Sequence, residues 1–235
     1  DVCEQVEELS PIREYVFSLS VPESKPLHYE WLNGKAAPVV KTAGGMKTAT
    51  WTLKNVQPRP YSLDVSLPAG NVQAVVASTY ASKADALKVI KQQLESNGKD
   101  VSELAQKLTA SAQTTEQKKE LLTAYIEGLG NCRLTLSQTG YRLRPASEVI
   151  RSAYGTEAEK AALLAALQQA IGIRAEIKAA FPKTEDKDAA GLAAVSVLFL
   201  VDKGIADIQD FVSVVDLNAQ PIVLEKVSHV VSRTD

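Results

Sequence analysis

The hydrophobic period of this chain changes near Ser82, and that change limits the folds open to it more than any single residue does. Upstream, apolar residues recur at every second position, the period of a strand with one buried face. Downstream they recur at every third or fourth position, the period of a helix. A further run of strand-like segments closes the chain. Strands, then helices, then strands again read as α+β rather than as an alternating α/β fold.

The first 82 residues predict antiparallel pairing. Residues 15–21 mix alternation with β-formers and stop at Pro22. Residues 28–32 run into Asn33-Gly34, a tight-turn dipeptide, before a strand at 37–41. Gly44-Gly45 makes a second turn. Thr48, Thr50, Thr52 and Lys54 then alternate with Ala49, Trp51 and Leu53. Further strands are expected at 61–67 and 72–80. Short strands with Pro and Gly between them suggest a β-sandwich-like domain over 1–82, followed by an α+β domain over 83–235.

Several helix starts are readable in the second part. Ser82 with Asp85, Asp100 with Glu103, Thr114 with Gln117 and Thr156 with Glu159 all have capping-box spacing. The clearest helix spans 156–171, with Leu163, Leu164, Leu167, Ala170 and Ile171 on one stripe and Gly172 as its stop. Pro145 predicts the start of a short helix reaching Tyr154. Strands are expected at 133–137, 173–181, 192–201, 210–216 and 222–231.

Composition excludes more than it names. The chain has 26 Lys and Arg against 28 Asp and Glu, a net charge of −2, so it lacks the basic footprint of a nucleic-acid binder. Two His and two Cys are too few for a dedicated His/Cys zinc site, and no cofactor is implied. No apolar run reaches the 18 residues of a candidate membrane span. Glu185, Asp186 and Asp188 cluster, but their spacing is wrong for an EF-hand loop and Lys183 and Lys187 offset the charge. The chain opens at Asp1 on polar residues, as a piece cut from a longer chain would, and its Ala, Ser and Thr content fits a secreted or envelope location.

One segment carries a family likeness. Arg144-Pro145-Ala146-Ser147-Glu148-Val149-Ile150 leads to Tyr154-Gly155-Thr156-Glu157-Ala158-Glu159-Lys160-Ala161-Ala162-Leu163-Leu164, and the helix closes on Gln168-Gln169-Ala170-Ile171-Gly172-Ile173. This resembles the core of bacterial transglutaminase-like proteins, which share the papain-like cysteine peptidase fold. In that family a Gly-Asp-Cys turn opens the central helix and a Lys-Ala-Leu-Leu-like run follows. Gly155, Lys160, Ala161, Leu163, Leu164, Gly172 and Ile173 match. The first part resembles the rear of the β-sandwich domain of unknown function that precedes such cores in large secreted bacterial proteins.

That resemblance implies a specific chemistry and shows where this chain departs from it. A Cys at a helix N-terminus has its pKa lowered by the helix dipole, a His takes its proton and an Asp orients the His. Here the nucleophile's place is Glu157 and the Asp before it is Thr156. The segment 192–201, where the family's His is expected, contains none, and the later His229 stands near the chain end. The resemblance therefore implies a degenerate core with no catalytic residues. Thr156, Glu157 and Lys160 become candidate cleft-lining residues.

Each candidate has a plainer reading. Glu157 with Glu159 is also what a helix dipole favours in a first turn. Cys132 is an alternative nucleophile or a half-buried strand thiol, and it is free or paired with Cys3. His28 and His229 are bases or ordinary strand residues. Trp31, Trp51, Tyr15, Tyr29 and Tyr61 stack on a sugar or fill a core. The expected function is a non-catalytic module that binds a protein or glycan, or scaffolds its neighbours. The alternative is a peptidase- or transglutaminase-class enzyme with an unrecognised nucleophile.

Overall fold

The computed structural model describes residues 1–6, 9–58, 73–94, 98–136, 138–182, 190–192, 197–202, 211–216 and 225–226. The expected strand at 61–67, the acidic loop at 185–188 and His229 lie outside the described residues, as does most of the expected strand at 222–231. The chain divides into two compact units, Asp1–Asp85 with Thr184–Ala194, and Ala86–Lys183 with Val195–Asp235.

The first unit is built from antiparallel strands: β1 (Val2–Gln5), β2 (Ile12–Pro22), β3 (His28–Leu32), β4 (Val39–Ala43), β5 (Met46–Val56) and β6 (Ala74–Ser78). They form two three-stranded sheets, ordered β1-β6-β3 and β2-β5-β4. Gly44 and Gly45, both at positive φ, close the β4–β5 hairpin. β4 begins two residues later than expected, because Pro38 has no N–H to give a ladder. The period-two pattern of β5 puts Ala49 and Trp51 inside, where they meet Val6, Trp31 and Val75. That one cluster draws on both sheets. On the outward face of β2 and β5, Ser18 pairs with Thr50 at 2.8 Å and Ser20 with Thr48 at 2.7 Å.

The second unit holds the helices: α1 (Lys83–Lys91, whose first three residues belong to the first unit), α2 (Lys99–Thr109), α3 (Thr115–Glu127), α4 (Ala146–Ser152) and α5 (Glu157–Ala170). Val101, Ala105, Leu122, Ile126, Leu129, Val149, Leu163, Ala166 and Leu167 form its core. β7 (Gly130–Asn131) and β8 (Tyr154–Gly155) make a short parallel pair. β9 (Ile177–Pro182), β10 (Leu198–Val201), β11 (Phe211–Asp216) and β12 (Glu225–Lys226) make an antiparallel sheet in the order β10-β9-β11-β12. Among the described residues no helix is long and apolar enough to cross a membrane.

Three of the four capping signals hold. Ser82 caps the start of α1, its Oγ accepting from the Asp85 amide at 3.2 Å. Thr114 and Gln117 form a complete capping box on α3, as do Thr156 and Glu159 on α5. The fourth fails: α2 is entered through Gly98 with no side-chain cap, and Asp100 sits inside the first turn. Thr114→Ala is expected to cost about 1 kcal/mol, read as a lowered midpoint in a helix-monitored melt.

The strand expected at 133–137 is absent from its described residues. Thr135 instead starts a turn: its Oγ1 accepts from the Gln138 amide at 3.4 Å and its carbonyl from the Thr139 amide at 3.1 Å. A local side-chain bond here overrides the β-propensity of Leu134 and Thr135. β9 and β10 also begin later than expected, at Ile177 and Leu198. The chain leaves α5 through Gly172, at φ +78°, and spends several residues reaching β9.

Candidate functional site

The start of α5 is fixed by its own residues. Thr156 Oγ1 accepts from the Glu159 amide at 3.3 Å, and Glu159 Oε2 accepts from the Thr156 amide at 2.9 Å. Gly155 stands where a Cβ would lie 3.3 Å from Val149 Cγ1 and 3.4 Å from Glu159 Cβ, so the residue before the cap leaves little space for a side chain. Ala158, Ala161, Ala165 and Ala166 are buried along the helix. These small side chains let α5 pack against α2, α3 and α4 and also against β9 and β10.

Glu159 is 5% exposed and holds a buried charge. Arg144 meets it edge-on: Nε donates to Oε1 and Nη2 to Oε2, each at 2.9 Å. The Arg144 backbone amide adds a third bond to Oε1 at 3.0 Å. Burial pushes the Glu159 carboxyl up, but the Arg144 guanidinium and the Thr156 and Arg144 amides outweigh it and hold the group below the usual carboxylate range. The same hydrogen bonds raise the Arg144 guanidinium further, against its own burial. Arg144 Nη1 also donates to Ser152 Oγ at 3.2 Å and Nη2 to the Tyr154 carbonyl at 2.8 Å, and its guanidinium lies 4.4 Å from the centre of the exposed Tyr154 ring.

Lys160 makes the second tie. Its Nζ donates to the Leu129 carbonyl at 2.7 Å and to Asn131 Oδ1 at 2.6 Å, joining the first turn of α5 to β7. The amide of Cys132, next along, donates to the Gly155 carbonyl at 2.9 Å. Thr156, Glu157, Lys160 and the Cys132 backbone are thus gathered at one end of α5. Sequence reasoning found the capping box and Lys160, but missed Arg144 as the partner of Glu159. Their separation of 15 residues, across α4, leaves no local signal.

Glu157 stands apart from this network. It occupies the first turn of α5 and is exposed, and its side chain makes no hydrogen bond or ion pair with a described residue. Its remaining contribution is the favourable charge at the helix start, so Glu157→Ala is expected to shift stability by about 0.5 kcal/mol or less in urea titration. Both thiols are free, Cys132 half-buried and Cys3 exposed. No histidine stands among the described residues of this unit. No group of three or more His, Cys, Asp or Glu among the described residues is arranged to hold a metal ion.

Of the aromatic residues that were candidates for sugar stacking, Trp31 and Trp51 are core. Tyr29 stands edge-on to Trp51 at 5.3 Å and is partly exposed, and Tyr15 donates to Glu4 Oε1 at 2.6 Å. Tyr61 lies outside the described residues. His28 and Tyr29 line a cavity of about 390 Å³ with Leu27, Glu30, Ala81 and Ala190.

Comparison with known proteins agrees with this architecture. A domain of unknown function, DUF3857, represented by a solved structure, matches residues 3–60. No curated protein matches the chain. A crystal structure described as a "putative protease" from Parabacteroides distasonis ATCC 8503 is 30% identical with a TM-score of 0.75. The match covers 97% of this chain and 47% of that one, so the chain spans about half the length of its solved relative. A "putative cysteine protease" from Cytophaga hutchinsonii is 13% identical over 96% of this chain and 78% of that one, at a TM-score of 0.35. An overlap that loose adds nothing to the fold assignment. The helices, the antiparallel sheets and the Parabacteroides likeness together give a mixed α+β chain similar to a protease-like fold.

Proposed function

We propose that this chain is a non-catalytic binding or scaffolding module of a secreted or envelope-associated bacterial protein. In this reading its second unit is a transglutaminase-like core that has lost its nucleophile. One observation carries the proposal. The helix start at which the resembled family holds a reactive thiol carries an exposed carboxylate, Glu157, on an otherwise fully tied first turn. A carboxylate there cannot form the thioester that acyl transfer by a cysteine requires. Of the three candidate residues Thr156 is buried and Lys160 half-buried, so in this reading the exposed Glu157, with the exposed Tyr154 ring two residues before the cap, is what the helix start offers a protein or glycan.

The second reading, a hydrolase or acyltransferase with another nucleophile, draws on Cys132. Its amide is bonded to the Gly155 carbonyl, which puts this residue beside the start of α5. Assays with an amine donor and glutamine substrate, and with amide and peptide substrates, separate the two. We expect no turnover above background and no change on Cys132→Ser. Thiol-dependent turnover abolished by that substitution would overturn the proposal in favour of the enzyme. A screen of the chain against envelope glycans and proteins then distinguishes a binder from a plain scaffold.

A further inference from the structure

The segment 139–144, between β7 and α4, runs outside any sheet. It contains two successive left-handed residues, Gly140 at φ +60° and Tyr141 at φ +62°. Side chains from two remote places hold its backbone. Gln93, in the turn after α1, donates from Nε2 to the Tyr141 carbonyl at 2.7 Å, and its Oε1 accepts from the Leu143 amide at 3.0 Å. A second bond from Nε2 to the Val89 carbonyl, at 2.9 Å, fixes the Gln93 side chain against α1. One residue further on, Glu159 of α5 accepts from the Arg144 amide. Gln93 and Glu159 share no hydrogen bond, yet they grip consecutive parts of one short stretch.

Within the stretch the Tyr141 amide also donates to the Leu136 carbonyl at 2.8 Å and the Arg142 amide to the Thr139 carbonyl at 3.3 Å. We propose that residues 139–144 form a strap gripped by two remote side chains, through which the Gln93 side chain sets the order of the first turn of α5. The physical link is short. Releasing Gln93 leaves the Tyr141 carbonyl and the Leu143 amide without their partners, and a left-handed Tyr persists only where its surroundings hold it there. Arg144 is next in the chain and meets Glu159 through both backbone and guanidinium, so a loosened strap withdraws the groups that hold the capping carboxylate. Tyr141, 2% exposed when latched, becomes accessible on opening. Coupling of this kind is reciprocal: weakening Glu159 must loosen the Gln93 end to the same degree. The proposal goes beyond the binding or scaffolding role and does not depend on it, because its test reads backbone opening and not ligand or turnover.

The test is native-state hydrogen exchange on the full chain, comparing Gln93→Ala and Glu159→Gln with the parent. Gln93→Ala is expected to raise exchange about tenfold at the Leu143 and Arg144 amides and also at the Thr156 and Glu159 amides, with α3 unchanged. Glu159→Gln is expected to raise exchange at Leu143, which it does not touch. The double variant should then open the strap less than the product of the two single effects. Three results would overturn the strap: a rise confined to Leu143 in Gln93→Ala with Thr156 and Glu159 unmoved, a uniform rise that includes α3, or failure of both single variants to fold. The last two would make Gln93 and Glu159 ordinary supports of the whole unit. If only one variant folds, that variant's remote amides decide the matter.

Discussion

Replacing Arg144 with Met is expected to lower the stability of the second unit by about 3–5 kcal/mol, the usual result of removing one partner from a buried ion pair. The size follows from what is left behind. Glu159 is nearly inaccessible, and without Arg144 its carboxylate keeps only backbone amides as donors. Far-ultraviolet circular dichroism during urea unfolding checks this, since the described helices lie almost wholly in that unit. A change under 1 kcal/mol would mean that Glu159 is satisfied without the guanidinium. The pH dependence has a definite sign. The folded carboxyl titrates below its ordinary value near 4.5, so its contribution is complete above that value and fades as the pH falls through the folded pKa. Met at 144 removes the guanidinium hydrogen bonds and charge, the first of the causes that lower that pKa, and leaves the two backbone amides. The gap between parent and variant should therefore be widest near neutral pH and narrow below about pH 4.5.

Trp51→Ala should cost the first unit a similar amount, about 3–5 kcal/mol. The indole is 1% exposed at the middle of β5. It packs on Phe17 across the strand pair at 5.9 Å and takes the edge of Tyr29 at 5.3 Å. Both sheets lean on this ring, so truncation leaves a void that neither sheet can close alone. The chain has two tryptophans and the other, Trp31, lies in the same cluster. Its fluorescence therefore still reports unfolding in the variant, and the midpoint in urea is the measurement. A midpoint close to the parent's would show that the two sheets hold together without a shared core.

Much of this architecture was legible in the sequence because its signals are local. Period two in β5 and the capping boxes at Thr114 and Thr156 are written within a few residues, and they came out where expected. Two other local signals lost to competing local arrangements. The β-formers at 133–136 turn instead, because the Thr135 side chain bonds the chain ahead of it. Asp100 has the residue type of a cap, but Gly98 takes the position. At the candidate site, Glu157 and Lys160 were visible through a family likeness. The Arg144–Glu159 pair, the Lys160–Asn131 bond and the Gln93 grip were not, because each joins residues 15 to 50 positions apart. Only the folded chain brings them together.

The capping arrangement of α5 has a consequence for how such a chain can diverge. Residues 156 and 159 fix the helix entrance between them, and the side chain of 157 adds no bond to it, only a small charge effect. That position is released from folding duty and is open to exchange among thiol, acid or amide at little thermodynamic cost. A lineage can thus lose or acquire reactivity at this point while the scaffold around it persists, and a saturation library at 157 should yield soluble, folded protein for most of its members.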